Sequence, residues 1–189
     1  GAPTLLKITK DVLGGLLVYD FWFTICHYTL HKVQPLYRWF HAKHHETREV
    51  RACEQVHLTG VEEVLDVGIS ILTLNFLRAH PFSRSIYNVI ITFLLTELHS
   101  GYAFPWSPQM VVPMGLWNGS YGHQYHHRTG RFHYQKFFCT IDRIFGWVDR
   151  SYLGRKGRYY STPEAEVANV EAPVTPQLSM APVPVRVEG

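Results

Sequence analysis

A histidine, two spacers and a histidine pair occur twice in this chain, as "HAKHH" at residues 41–45 and as "HQYHH" at 123–127. A third pair, His27 and His31, stands four residues apart in "CHYTLH". On a helix, positions i, i+3 and i+4 lie on one side, so each triplet is expected to aim three imidazoles at a common point. His99, in "ELHSGY", ends the third apolar block and brings the candidate donors to nine: His27, His31, His41, His44, His45, His99, His123, His126 and His127. A solvated histidine-rich surface does not account for a converging spacing that recurs three times.

Nine neutral nitrogens are too many for one ion. Zinc normally takes four ligands, whereas two metals with four or five nitrogens each use the whole set. Imidazole suits iron, zinc, copper and nickel, so spacing alone does not name the metal. The chain has no HExxH motif and hence no evident hydrolytic glutamate. That favours redox-active iron and oxygen activation over zinc. The competing classes are a zinc-dependent membrane hydrolase or lyase indifferent to O2, a protein that stores metal or ligates haem, and an inactive partner subunit.

The chain between the boxes carries three apolar blocks, 13–30, 61–77 and 86–98. Read as membrane spans, they place every histidine box on one side, together with most of the lysines and arginines. The opposite loop holds Arg78 and Arg84. By the positive-inside rule the boxes are then cytosolic. The expected fold is an all-α integral membrane protein with its dimetal site on helices at the ends of the spans. Residues 1–160 form one expected domain, with upstream segments expected before Gly1. Residues 161–189, rich in proline and lacking aromatics, are expected to be a disordered tail. A net charge of +3 is too small to argue for nucleic acid, and the three cysteines show no paired spacing.

"HYTLH", "HAKHH" and "HQYHH" resemble the histidine boxes of the fatty acid hydroxylase/sterol desaturase superfamily. "ELHSGYAFPWSP" and "TIDRIFGW" are similar to segments of its sterol C-4 methyl oxidase branch. The resemblance runs from Tyr19 to Trp147. It implies a membrane enzyme of lipid biosynthesis in the endoplasmic reticulum, with a non-haem di-iron centre. It also implies O2, electrons from cytochrome b5 or an NAD(P)H reductase, and a lipid, sterol or terpenoid substrate. The reaction expected is hydroxylation or methyl oxidation, with desaturation as the alternative within the superfamily. The chain departs from common family patterns at Tyr28, often arginine, and in "HLTGVEE", where many relatives carry HPxE with a possible tenth ligand at the position of His57.

Further expectations attach to single residues. Asp20, two helical turns before His27, and Glu97, beside His99, are candidates to accept an imidazole N–H or offset metal charge. The Glu62/Glu63 pair is a candidate for the same work. His57, His80 and His133 are not expected to be ligands. Trp22, Trp39, Trp106, Trp117 and Trp147 are expected to mark a membrane interface.

Overall fold

The computed structural model of the protein describes residues 1–149. The expected tail at 161–189 lies outside the described residues. Among the described residues the chain is helical, and its one extended pairing is an isolated antiparallel bridge between Trp117 and Phe138.

Three long helices carry the core. α1 (Leu5–Lys32) starts at Thr4, whose hydroxyl accepts the Lys7 N–H at 3.2 Å. It ends before Pro35, which has no N–H for the His31 carbonyl and whose ring would clash with that carbonyl if the helix ran on, and Val33 turns extended instead. A short turn, α2 (Gln34–Leu36), leads into a π-helical turn at Tyr37–His41 and a 3₁₀ turn at His44–Glu46. After a second 3₁₀ turn (Ala52–Val56), α3 (Gly60–Phe76) is capped by the Thr59 hydroxyl on the Glu62 N–H, with Glu62 and Glu63 complementing the dipole in its first turn. α4 (Pro81–Leu98) opens with proline at its first position. Arg84 holds the α3–α4 corner through the Ala79 and Leu74 carbonyls and the Asn75 side chain.

α1 packs against both members of this hairpin, joining Val12, Leu16, Tyr19 and Phe23 to Leu74, Tyr87, Ile91 and Leu94. Gly15 permits the approach, since a Cβ there would lie 2.8 Å from the Tyr87 ring. Asp11 staples the same end, accepting the His80 backbone N–H at 3.0 Å and pairing with Lys7. The remainder is short: α5 (Pro108–Val111), α6 (Gly119–Thr129) and α7 (Thr140–Ile144). α6 ends at Gly130, left-handed at φ 61°, which turns the chain back beneath the histidines.

The three expected spans are thus real helices, but no helix among the described residues is long and apolar enough to cross a membrane. α3 and α4 have 17 and 18 residues, or roughly 26 Å at 1.5 Å per residue against a hydrocarbon core of about 30 Å. α1 is long enough but carries Lys7, Lys10, Asp11, Asp20 and Lys32. The helices nonetheless expose many apolar side chains, among them Leu13, Leu17 and Trp22 on α1, Val64, Ile71 and Leu72 on α3, and Val89 and Phe93 on α4. Trp39 and Trp106 are exposed, but Trp117 belongs to the core, stacking on Phe137, and Trp147 stacks on Tyr28. The aromatic set is therefore divided between core and surface.

Candidate metal centre

The nine histidines converge in two groups, with donor atoms in each lying within 4.8 Å of one another. The larger holds His27, His31, His41, His45 and His126; the smaller holds His44, His99, His123 and His127. Each HxxHH triplet is therefore split, and does not aim at one point. In both triplets the first and fifth positions go together and the fourth goes to the other group. Successive helical residues turn by about 100°, so the fourth and fifth positions flank the first on opposite sides. Only the second triplet lies on a regular α-helix, α6. The first spans the π turn and the 3₁₀ turn, irregular backbone of the kind that often re-aims functional side chains. The groups adjoin, with the His45 ring centroid 4.9 Å from His126 and 4.6 Å from His127.

Second contacts fix how the rings face. His27 Nδ1 lies 2.8 Å from the Tyr134 carbonyl, His126 Nδ1 2.7 Å from that of Phe132, and His41 Nδ1 2.5 Å from Glu62 Oε1. In the smaller group, His99 Nδ1 is 2.8 Å from the Leu95 carbonyl and His127 Nδ1 3.1 Å from that of Thr47. A carbonyl or carboxylate oxygen accepts, so the network assigns these rings a proton on Nδ1 and a bare lone pair on Nε2.

Those lone pairs meet. His27 Nε2 and His41 Nε2 are 3.1 Å apart, with both protons committed elsewhere, so no hydrogen bond can join them. His123 Nε2 stands 2.9 Å from His99 Nε2 and 3.1 Å from His127 Nε2, and one proton could serve only one of these. His126 Nε2 and His44 Nδ1 are buried without a hydrogen bond. A cation resolves the conflict: metal–nitrogen bonds of about 2.0–2.1 Å separate adjacent nitrogens by roughly 2.9–3.4 Å. The donor set and its spacing fit two metal ions.

Electrostatics agrees. Burial first, and the neighbouring imidazoles second, hold His31, His44 and His123 well below the usual histidine range. Burial lowers His99 to about 3 and His127 to about 4, so both stay neutral and able to ligate at pH 7.

Glu62 is the acid of the expected set that reaches a ligand directly. Asp20 does not receive an imidazole proton. Its two oxygens accept the backbone N–H groups of Lys136, Phe137 and Phe138 and the Gln135 amide, at 2.9–3.1 Å. It acts one step further out, tying to α1 the segment whose Tyr134 carbonyl orients His27. Glu97 likewise turns away, accepting the Ser107 hydroxyl at 2.6 Å. His57 is 3.0 Å from Glu46 and belongs to neither group; nor do His80, which caps α4, and His133. Arg143 donates to the Met114 and Gly115 carbonyls, a structural tie.

Sequence reasoning missed the segment 132–138. Phe132 and His133 take positive φ, 56° and 51°, a costly backbone for residues other than glycine, and this turn presents the Phe132 carbonyl to His126. The signal was the glycine at 130, followed three residues later by "HYQK".

Residues 12–147 match the fatty acid hydroxylase family, and the chain belongs to it. The chain is 32% identical over 146 residues to a cholesterol 25-hydroxylase-like protein of Danio rerio, an overlap of 77% of this chain and 58% of that protein. It is 34% identical over 146 residues to the cholesterol 25-hydroxylase of Homo sapiens, covering 77% and 53% of the two chains. A putative methylsterol monooxygenase of Dictyostelium discoideum is 32% identical over 161 residues, covering 82% and 57%. The chain thus spans a little over half the length of these relatives. No solved structure gives a significant match.

Proposed function

We propose that this chain is the metal-binding part of an O2-dependent lipid hydroxylase, with one iron held by each histidine group. The observation that carries this is the pairing of Nε2 lone pairs across about 3 Å while their Nδ1 protons are committed to carbonyls and Glu62. The five-donor group exceeds the four ligands usual for zinc, which also lacks redox chemistry. When bound and reduced, iron supplies the means to activate O2 for attack on an unactivated C–H bond.

The chain's own residues fix the donor set. The Tyr134, Phe132, Leu95 and Thr47 carbonyls and Glu62 hold five rings in one tautomer and orientation, and the bundle keeps them dry. A sterol or another lipid is the substrate class, by likeness to the relatives' named activities. The apolar side chains exposed on α1, α3 and α4 support seating in a lipid bilayer. We place the boxes on the cytosolic face of the endoplasmic reticulum, from the distribution of basic residues. Cytochrome b5 or an NAD(P)H reductase would then deliver electrons there.

The test uses full-length protein purified without oxygen, then supplied with reductase, cytochrome b5, a lipid extract and isotopically labelled O2. Iron-dependent products carrying the label support the reading. Turnover that is unaffected by removing O2, or that zinc alone sustains, would refute it.

A further inference from the structure

A cavity of about 140 Å³ opens beside the smaller histidine group, with His44 and His99 in its wall. Phe23, Leu58 and Leu95 make part of that wall apolar. Gln55, Glu62, Glu63, Asp66 and Lys136 make another part polar. Lys136, only 7% exposed, donates to Tyr19 at 2.8 Å and to Asp66 at 3.0 Å, and its ammonium sits 3.6 Å from the centre of the Phe23 ring. Tyr19 in turn donates to Asp66.

A charged amine is expensive to bury, and this one is satisfied on one side only. Tyr19 and Asp66 take two of its three protons, and the ring face takes no full hydrogen bond. The metal ligands are explained without Lys136, and so is the capping of its backbone N–H by Asp20. What remains is a fixed, desolvated donor at the edge of a chamber of mixed apolar and polar lining next to the proposed metal site. Asp66 neutralises its charge, and Glu63 also borders the chamber, so an incoming carboxylate meets more negative charge than positive.

We propose that Lys136 is a recognition residue for a neutral oxygen on the substrate, a hydroxyl or carbonyl close to the carbon presented to His44 and His99. Lys136 thus selects lipids already oxygenated near the point of attack. It would also hold the alcohol formed by a first hydroxylation in place for a second. This rests on the oxygenase reading for its meaning in turnover, but the binding it asserts does not require turnover.

The experiment uses the full chain, zinc-loaded so that it is diamagnetic, and two probes of similar shape, cyclohexanol and methylcyclohexane. Ligand-observed NMR titration gives their affinities in wild type and in Lys136→Met. A hydrogen bond to a buried charged donor is expected to favour the alcohol by roughly tenfold or more, and the substitution to abolish that preference while leaving the hydrocarbon unchanged. As a second measurement needing no variant, ¹⁵Nζ-lysine labelling reads the one lysine buried among the described residues. Its resonance should shift with cyclohexanol and not with methylcyclohexane. Equal affinities in wild type, a preference that survives in Lys136→Met, or a Lys136 resonance blind to the alcohol would overturn the proposal. Probe binding that holds while labelled O2 is not incorporated would leave this site standing and refute only the oxygenase reading.

Discussion

Glu62 Oε1 lies 2.5 Å from His41 Nδ1, in a contact buried on both sides, and joins the first turn of α3 to the end of the π turn. It is the one acidic side chain among the described residues that hydrogen-bonds a proposed ligand in either group, and that contact holds the imidazole in its orientation. Glu62→Gln should therefore weaken metal binding in the larger group by about 10–100-fold while sparing the smaller. A competition titration with a chelator would show one phase shifted and the other in place. Two phases moving together would contradict the assignment.

The split triplets make a sharper forecast. The distant pair His45→Ala/His126→Ala removes two donors from one group and should leave about one metal ion per chain. The adjacent pair His44→Ala/His45→Ala removes one donor from each group and should weaken both ions. Metal content at limiting metal separates these outcomes. If neighbours in sequence behaved alike, each triplet would serve a single ion after all.

That split also marks how far the sequence was legible. Eight of the nine candidate donors could be named from spacing, because i, i+3 and i+4 positions lie on one side of a helix whatever the fold, and His99 from its place at the end of the third apolar block. Their partition could not be, since it depends on how the irregular turns at 37–46 and α6, packed on α4, bring rings from different segments together. Asp20 was visible as an acid two turns from His27. Its partners, the backbone N–H groups of 136–138, lie more than a hundred residues away, and no periodicity reports them. Lys136 read as one more cation on the basic side; only the packing of Phe23, Tyr19 and Asp66 around it shows that it is buried. The apolar blocks correctly marked three helices, but their charged ends and modest lengths set them short of spans.

Acid should destabilise the fold in part through His133. Burial lowers its pKa to about 4, with the Asp149 charge only partly opposing, against 6.5 for an ordinary histidine. The unfolded chain therefore takes up a proton first. Stability fully present above pH 6.5 is lost as the pH falls toward 4, at up to about 1.4 kcal/mol per pH unit. Asparagine tolerates the left-handed backbone at this position. Denaturant midpoints measured across that range should fall less steeply in His133→Asn than in wild type. Parallel slopes would show that His133 does not contribute.

Gly15 tests the packing of α1 on α4. Alanine would gain about 1 kcal/mol in helix propensity, yet its Cβ would meet the buried Tyr87 ring at 2.8 Å. Overpacking of this kind costs about 1–3 kcal/mol, so Gly15→Ala should be neutral to destabilising and Gly15→Val clearly destabilising, read as thermal midpoints. A stabilised Gly15→Val would mean the helices do not approach as described.

The central claim is that two ions sit among these nine imidazoles, and anomalous diffraction at the iron edge from anaerobically reconstituted protein tests it most directly. Two peaks per chain are predicted, one bounded by His27, His31, His41, His45 and His126, the other by His44, His99, His123 and His127. A single peak, or iron bound anywhere else, would contradict it.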